Sequence, residues 1–166
     1  SGGEPLFQHE FALAILKACK QKNLHTAIET SLFVKREVLA KILPYVDEFY
    51  TDLKIFDNDW HKKCTNVDNQ VIKDNLKFLL QTDKKDCVIV RTPLIPTLTA
   101  TKENIGQISR FISSELLNYN PLAKAKYSYL DKKYYFTENP KLYSNAQLQF
   151  FYDIAKQNGI KNLIIE

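Results

Sequence analysis

Apolar residues recur along the chain at two spacings, which predict alternating helices and strands. A spacing of three to four residues marks one face of a helix, and it first occurs in Phe11, Ala14, Ile15, Ala18 and Cys19. Further helices are predicted over 34–43, 69–81, 101–112 and 144–159. Strands are predicted at 24–30, 48–55, 87–94, 116–120 and 162–165. Helix N-caps are predicted at Asp57 or Asn58, at Thr101, and at Ser144 or Asn145.

This alternation is typical of a parallel sheet wrapped by helices, so the predicted fold class is α/β, a partial and open parallel β/α barrel. We expect residues 1–166 to form a single domain. The segment 2–5 (GGEP) comes directly before a helix, where a strand-to-helix loop belongs, so at least one strand is expected upstream of Ser1. The strand at 87–94 is almost continuously apolar and is expected to be buried on both faces.

The composition is that of an ordinary globular protein, with 45% apolar and 25% charged residues and a net charge of +4. These values favour neither nucleic acid nor a membrane as a partner. The cysteines Cys19, Cys64 and Cys87 lie far apart, which indicates a reducing, cytoplasmic location and gives no metal-binding spacing. Cys64 and Cys87 are expected to be small buried apolar groups, and His61 a surface residue on a loop.

Polar residues follow the strands at their carboxyl ends, where ligands bind in folds of this kind. They are Gly2, Gly3, Glu4, Glu29, Thr30, Asp52, Lys54, Arg91 and Asn120. Tyr50, Asp52 and Lys54 alternate along their strand and so share one face. Acids and bases beside a glycine pair suit a small zwitterionic ligand, although a purely structural charge network would use the same residues.

Several motifs together resemble a known family. Residues 2–5 (GGEP) resemble the motif of radical S-adenosylmethionine (radical SAM) enzymes. They are followed in order by HTAIETS at 25–31, DLK at 52–54, VRTPLIP at 90–96, NYNPLA at 118–123 and KY at 126–127. The ordered set is similar to the activating enzymes of glycyl radical enzymes, relatives of pyruvate formate-lyase activating enzyme, over roughly 1–135.

The resemblance implies a cytoplasmic oxidoreductase that works anaerobically in a partial barrel. A four-iron cluster, supplied with electrons by a donor such as flavodoxin or ferredoxin, would cleave S-adenosylmethionine reductively to a 5′-deoxyadenosyl radical. That radical would take a hydrogen atom from a backbone glycine of a partner glycyl radical enzyme. No catalytic residue is expected within this chain.

The resemblance also implies residue roles. The methionine amino group would be received by Gly2, Gly3 and Glu4, through backbone and side chain. Residues that would line the cofactor and a monovalent cation are Glu29, Thr30 and Asp52. Lys54 and Arg91 would face the carboxylate or the ribose, and Asn120 would lie near the adenosyl end, where relatives often carry histidine.

In the family, the cluster motif CxxxCxxC lies upstream of GGEP, and the three cysteines of this chain do not reproduce it. We therefore expect a carboxyl-terminal part of an activating enzyme, cut before GGEP and inactive without the cluster ligands. Two alternatives remain. One is a radical SAM enzyme with another substrate, and the other is a non-catalytic α/β binding module.

Overall fold

The structure is a computed structural model that describes residues 3–112, 114–118 and 143–161. The helices of this part are α1 His9–Gln21, α2 Arg36–Ile42, α3 Asn58–Thr65, α4 Gln70–Leu80, α5 Lys102–Phe111 and α6 Asn145–Gln157. Its strands are β1 Ala27–Thr30, β2 Glu48–Asp52, β3 Val88–Leu94 and β4 Ser114–Asn118. Short 3-10 helices occupy Pro5–Gln8, Leu43–Tyr45 and Lys85–Cys87. The irregular segment and the closing strand predicted for 119–142 and 162–165 lie outside the described residues.

The strands form one sheet in the order β1-β2-β3-β4. The first three are parallel, with Glu29 opposite Tyr50 and Asp52 opposite Arg91. Helices connect them, because parallel neighbours need a crossover of a dozen or more residues. The predicted α/β class with parallel strands is confirmed.

The chain divides into two compact units, Ser1–Arg91 and Thr92–Glu166. In the first unit, one face of the sheet is buried beneath the helices; its residues there include Ile28, Thr30, Phe49, Thr51, Val88 and Val90. The other face carries Glu29, Tyr50, Asp52 and Arg91, which are less buried. The prediction that β3 is buried on both faces is therefore wrong, because burial alternates along it.

Helix α1 packs through a different face from the one that its apolar spacing suggests. Leu16 is buried, whereas the side of Phe11 (65% exposed) and Ile15 (47% exposed) is open to solvent. Apolar residues cover a broad arc of the helix circumference, so periodicity alone could not select the packed face within that arc.

In the second unit, α5 and α6 pack over the end of β3. Their core consists of Leu94, Ala100, Ile105, Leu148, Phe151, Tyr152, Ile154, Ala155 and Ile160. Thr101 caps α5 as predicted, and Ser144, one of the two predicted candidates, caps α6 through reciprocal bonds with Gln147. Within the described residues, none of the helices has the length and apolar character needed to cross a bilayer. The single-domain organisation of residues 1–166 stays a prediction.

Candidate ligand-binding site at the carboxyl edge of the sheet

The turn before α1, here called the Glu4 turn (residues 3–6), is tied to the end of β1 by one carboxylate. Oε1 of Glu4 accepts hydrogen bonds from the Thr30 hydroxyl at 2.7 Å and the Leu6 amide at 3.1 Å. Oε2 accepts from the amide and the hydroxyl of Ser31, at 2.8 and 2.6 Å. A carboxylate has about four acceptor sites, so the chain itself uses all of them.

The backbone of the turn is open next to this carboxylate. Gly3 has φ +79°, a conformation that favours glycine, and a Cβ added there would meet nothing within 4 Å. A ligand can therefore approach the main chain at Gly3 directly. The distinctive geometry here is the positive φ of one glycine beside an anchored glutamate.

The loop that receives Glu4, here called the 31–34 loop, is bonded internally as well. The Leu32 amide donates to the Thr30 hydroxyl at 3.1 Å, and the Phe33 amide to the Ser31 hydroxyl at 3.3 Å. Leu32 has φ +59° and a fully buried side chain. A leucine in the left-handed region is held there by its surroundings, so the loop has one defined conformation.

Four charged side chains meet on the open face of the sheet. Arg91, whose side chain is 16% exposed, forms an ion pair with Glu29 and lies 3.3 Å from Asp52. Asp52 is also 3.4 Å from the ammonium of Lys54, and the Arg91 guanidinium lies 5.6 Å from the ring centre of Tyr50. Register explains this grouping, since Asp52 and Arg91 are direct cross-strand partners.

The charges differ in how accessible they are. The Lys54 side chain is 53% exposed and that of Glu29 is 68% exposed, whereas Arg91 lies between the two acids. The site thus offers an accessible cation and an accessible anion, joined by a partly buried guanidinium. That arrangement can bind both ends of a zwitterion by charge-assisted hydrogen bonds.

The structure brings together four of the predicted site residues, Glu29, Asp52, Lys54 and Arg91. Thr30 lies on the opposite face of β1, where its hydroxyl donates to Glu4. Gly2 and Asn120 lie outside the described residues. The monovalent-cation site at Glu29, Thr30 and Asp52 stays a prediction.

Two minor expectations about reactive side chains are wrong. His61 is buried on α3 rather than lying on a surface loop, and burial, followed by the nearby Lys73, lowers its pKa. Cys64 is exposed, and Cys87 is only half-buried. Among the described residues, no three histidine, cysteine or acidic side chains are grouped to hold a metal ion.

Two buried asparagines on or next to α4 were missed by sequence reasoning. Asn75 donates to the carbonyls of Leu32 and Val34 at 2.9 and 2.8 Å, and Asn69 donates to those of Ile55 and Phe56 at 2.8 and 3.0 Å. The available signal was weak: Asn75 falls on the apolar stripe of its helix, where a polar residue needs buried partners.

Comparison with known proteins shows the family of the chain. Residues 1–108 match the family model of the radical SAM superfamily. The chain belongs to this superfamily. Membership implies S-adenosylmethionine and a four-iron cluster as cofactors.

Two curated relatives are similar over almost the whole chain. The 4-hydroxyphenylacetate decarboxylase activating enzyme of Clostridioides difficile (strain 630) is 36% identical over 166 residues, which cover 96% of this chain and 52% of that protein. The indoleacetate decarboxylase activating enzyme of Tractidigestivibacter scatoligenes is 34% identical, with coverage of 99% and 53%. The chain therefore spans about half the length of these relatives.

A solved structure has the same fold. It is a domain of pyruvate-formate lyase-activating enzyme from Bacteroides vulgatus, with a TM-score of 0.76, 24% identity, and coverage of 99% of this chain and 96% of that one. This likeness supports the predicted partial radical SAM barrel.

The two cofactors differ in how well the described residues fit them. The open backbone at Gly3 and the accessible charges of Lys54 and Glu29 fit the amino-acid end of S-adenosylmethionine. Cys19, Cys64 and Cys87 are not gathered with one another or with other ligand types, so the described residues do not provide a cluster site.

Proposed function

We propose that this chain is the S-adenosylmethionine-binding part of an activating enzyme for a glycyl radical enzyme. The observation that carries the proposal is the charge group of Glu29, Asp52, Lys54 and Arg91 on the open sheet face of a radical SAM chain. The activating-enzyme relatives support the finer assignment. The partners would be a glycyl radical enzyme as protein substrate and a small electron-transfer protein such as flavodoxin or ferredoxin.

We assign different roles to the charged side chains of the site. Lys54, half-exposed at the end of β2, would bind the carboxylate of the methionine moiety. Arg91 would keep Asp52 and Glu29 in fixed positions, so that the ligand meets preorganised charges. Bound S-adenosylmethionine, together with a cluster held by other residues, supplies the radical that abstracts hydrogen.

For Glu4 we propose a different role from the one that its motif predicts. Because its carboxylate accepts four hydrogen bonds from the chain, we propose that it shapes the turn rather than receiving the amino group. The backbone at Gly3 would then meet the ammonium, with its carbonyl as the acceptor.

The test is calorimetric titration of S-adenosylmethionine into the chain and into Lys54→Ala and Arg91→Lys variants. Lys41→Ala, which removes an exposed lysine at the end of α2, is the matched control. We expect Lys54→Ala to weaken binding by roughly tenfold, as for one lost charge-assisted bond, and Lys41→Ala to change nothing. Equal affinity in all four proteins would contradict the assigned roles, and no measurable affinity in any would favour a binding module with a structural charge network.

A further inference from the structure

We propose that Asn75 on α4 is a positioning residue for the ligand-binding turn, and that it acts through the 31–34 loop. The effect on ligand binding rests on the proposed function, whereas the effect on the loop rests on the hydrogen bonds alone. Asn75 lies 43 residues from Leu32 in sequence, and within the described part of the chain its side chain bonds to Arg36, Leu32 and Val34 rather than to Glu4 or the charge group.

Asn75 meets the loop with both hydrogens of its amide. Nδ2 donates to the Leu32 carbonyl at 2.9 Å and to the Val34 carbonyl at 2.8 Å, and the side chain is almost completely buried. The first of these carbonyls belongs to Leu32 itself, which has a positive φ of 59°, and the second lies two residues further along the chain. The two bonds therefore fix the chain directly after the strained torsion and so hold Leu32 in place.

Arg36 fixes the orientation of this amide. Its Nε donates to Oδ1 of Asn75 at 2.7 Å, and its second nitrogen donates to the Asp74 carbonyl at 2.7 Å. A guanidinium can only donate and a carbonyl can only accept, so the oxygen of Asn75 must face Arg36 and its nitrogen must face the loop. The Arg36 guanidinium also lies 4.5 Å from the ring centre of Phe78, which keeps it over α4.

The 31–34 loop is in turn hydrogen-bonded to the Glu4 turn. Ser31, directly before Leu32, donates both its amide and its hydroxyl to Oε2 of Glu4. A shift of the 31–34 loop would move two of the four donors that hold the Glu4 carboxylate. The position of Gly3, where the ligand meets the backbone, thus depends on an asparagine on a distant helix.

Asn69 has the same relation to the next loop along the sheet. Its Nδ2 donates to the carbonyls of Ile55 and Phe56, directly after Lys54, and the side chain is fully buried. Two asparagines six positions apart therefore hold the loops that follow β1 and β2, so α4 sets both. The second asparagine is independent support for the idea that side chains on and next to α4 fix the loops at the carboxyl edge of the sheet.

The experiment compares Asn75→Ala with Asn104→Ala, both measured in the whole chain. Asn104 is a matched control, because it is also buried and donates to a backbone carbonyl, that of Thr99, but it lies in the second compact unit. Backbone amide hydrogen exchange of Ser31, Phe33 and Val34 reports the loop. Calorimetric titration with S-adenosylmethionine reports the ligand. Arg36→Met is the second variant, which keeps Asn75 but frees its amide to rotate. It tests whether Asn75 holds the loop if Asn75→Ala does not fold.

We expect Asn75→Ala to speed exchange in the 31–34 loop and to raise the dissociation constant by roughly tenfold, the equivalent of one lost hydrogen bond of ~1.4 kcal/mol. Arg36→Met should change loop exchange and the dissociation constant in the same direction, but by less. Asn104→Ala should change neither of them, even if it lowers the thermal midpoint as much as Asn75→Ala does. Unchanged loop exchange in Asn75→Ala overturns the inference whatever the ligand. Faster exchange with unchanged affinity, or equal weakening by Asn104→Ala, leaves Asn75 a structural group only. A wild-type chain that does not bind S-adenosylmethionine overturns the proposed function and the ligand role together, while the exchange data still decide whether Asn75 holds the loop.

Discussion

The Glu4 carboxylate allows the sharpest test of how the motif segment is built. Glu4→Ala removes all four acceptors at once, from the Leu6 amide, the Thr30 hydroxyl and the two donors of Ser31. Glu4→Gln is nearly isosteric. Its oxygen can keep the bonds from Leu6 and Thr30, and its amide nitrogen can donate to the Ser31 hydroxyl once that hydroxyl rotates.

The expected magnitudes follow from this count. Glu4→Gln leaves one donor, the Ser31 amide, facing another donor, which should cost about 1–2 kcal/mol of unfolding free energy. Glu4→Ala loses a helix cap worth ~1 kcal/mol and three further bonds to a charged acceptor. Since water can reach the half-buried Ser31 but not the buried Thr30, we expect a total of roughly 3–5 kcal/mol.

Urea unfolding followed by tryptophan fluorescence measures this difference. Trp60 is the only tryptophan of the chain and lies in the same compact unit as Glu4, so it reports the relevant transition. Glu10→Ala, which removes an exposed acid from the first turn of α1, should cost less than ~1 kcal/mol. If Glu4→Ala and Glu4→Gln were equally destabilising, or if Glu4→Ala matched the Glu10 control, the carboxylate would not hold the turn.

Three further predictions concern the same unit. The Asp47 carboxylate accepts from Lys20 and from the amide of Thr26 at 2.8 Å, and these bonds hold its pKa well below the ordinary value. A carboxyl group whose pKa is lowered by folding stabilises the folded state above about pH 4, and this stabilisation is lost as the pH falls further. Asp47→Asn should therefore flatten the acid side of a curve of unfolding free energy against pH. Leu16→Ala should cost about 2–5 kcal/mol in urea unfolding, whereas Phe11→Ala on the open side of α1 should cost less than ~0.5 kcal/mol; the reverse order would contradict the packing of that helix. Asn66 ends α3 at φ 66°, so Asn66→Ala should lower the thermal midpoint and Asn66→Gly should not.

Local patterns predicted most elements because they depend on neighbours in sequence. Thr101 and Ser144 act as caps, and Asp57, one of two candidates for α3, accepts from the Trp60 amide at 2.8 Å. Alternation predicted that Tyr50 and Asp52 share one face of β2, and the burial pattern of the strand confirms it. The end of β2 was predicted at 55 but lies at Asp52. The Leu53 amide still donates to the Arg91 carbonyl at 3.2 Å, whereas the carbonyls of Ile55 and Phe56 accept from the side chain of Asn69.

The sequence predicted that four charged site residues lie together, but it did not predict their arrangement. Strand order predicted that Glu29, Asp52, Lys54 and Arg91 would share one edge, since carboxyl ends of parallel strands lie together. It did not predict that the guanidinium of Arg91 would lie between two acids, nor that Glu4 would be fully engaged by its own chain. These contacts depend on the strand register and on the side-chain rotamers, and neither can be predicted from a local sequence pattern.

By itself, the sequence determined the α/β class, the cap of α5, the common face of Tyr50 and Asp52 on β2 and the radical SAM motif, because each depends on residues a few positions apart. Only the tertiary structure decided which side of α1 is packed, which charges pair across 62 residues between Glu29 and Arg91, and which helix bonds to the 31–34 loop. The physical reason is that burial and hydrogen-bond geometry arise from the simultaneous packing of distant segments. An asparagine such as Asn75 shows its role only when the loop it bonds is folded against it.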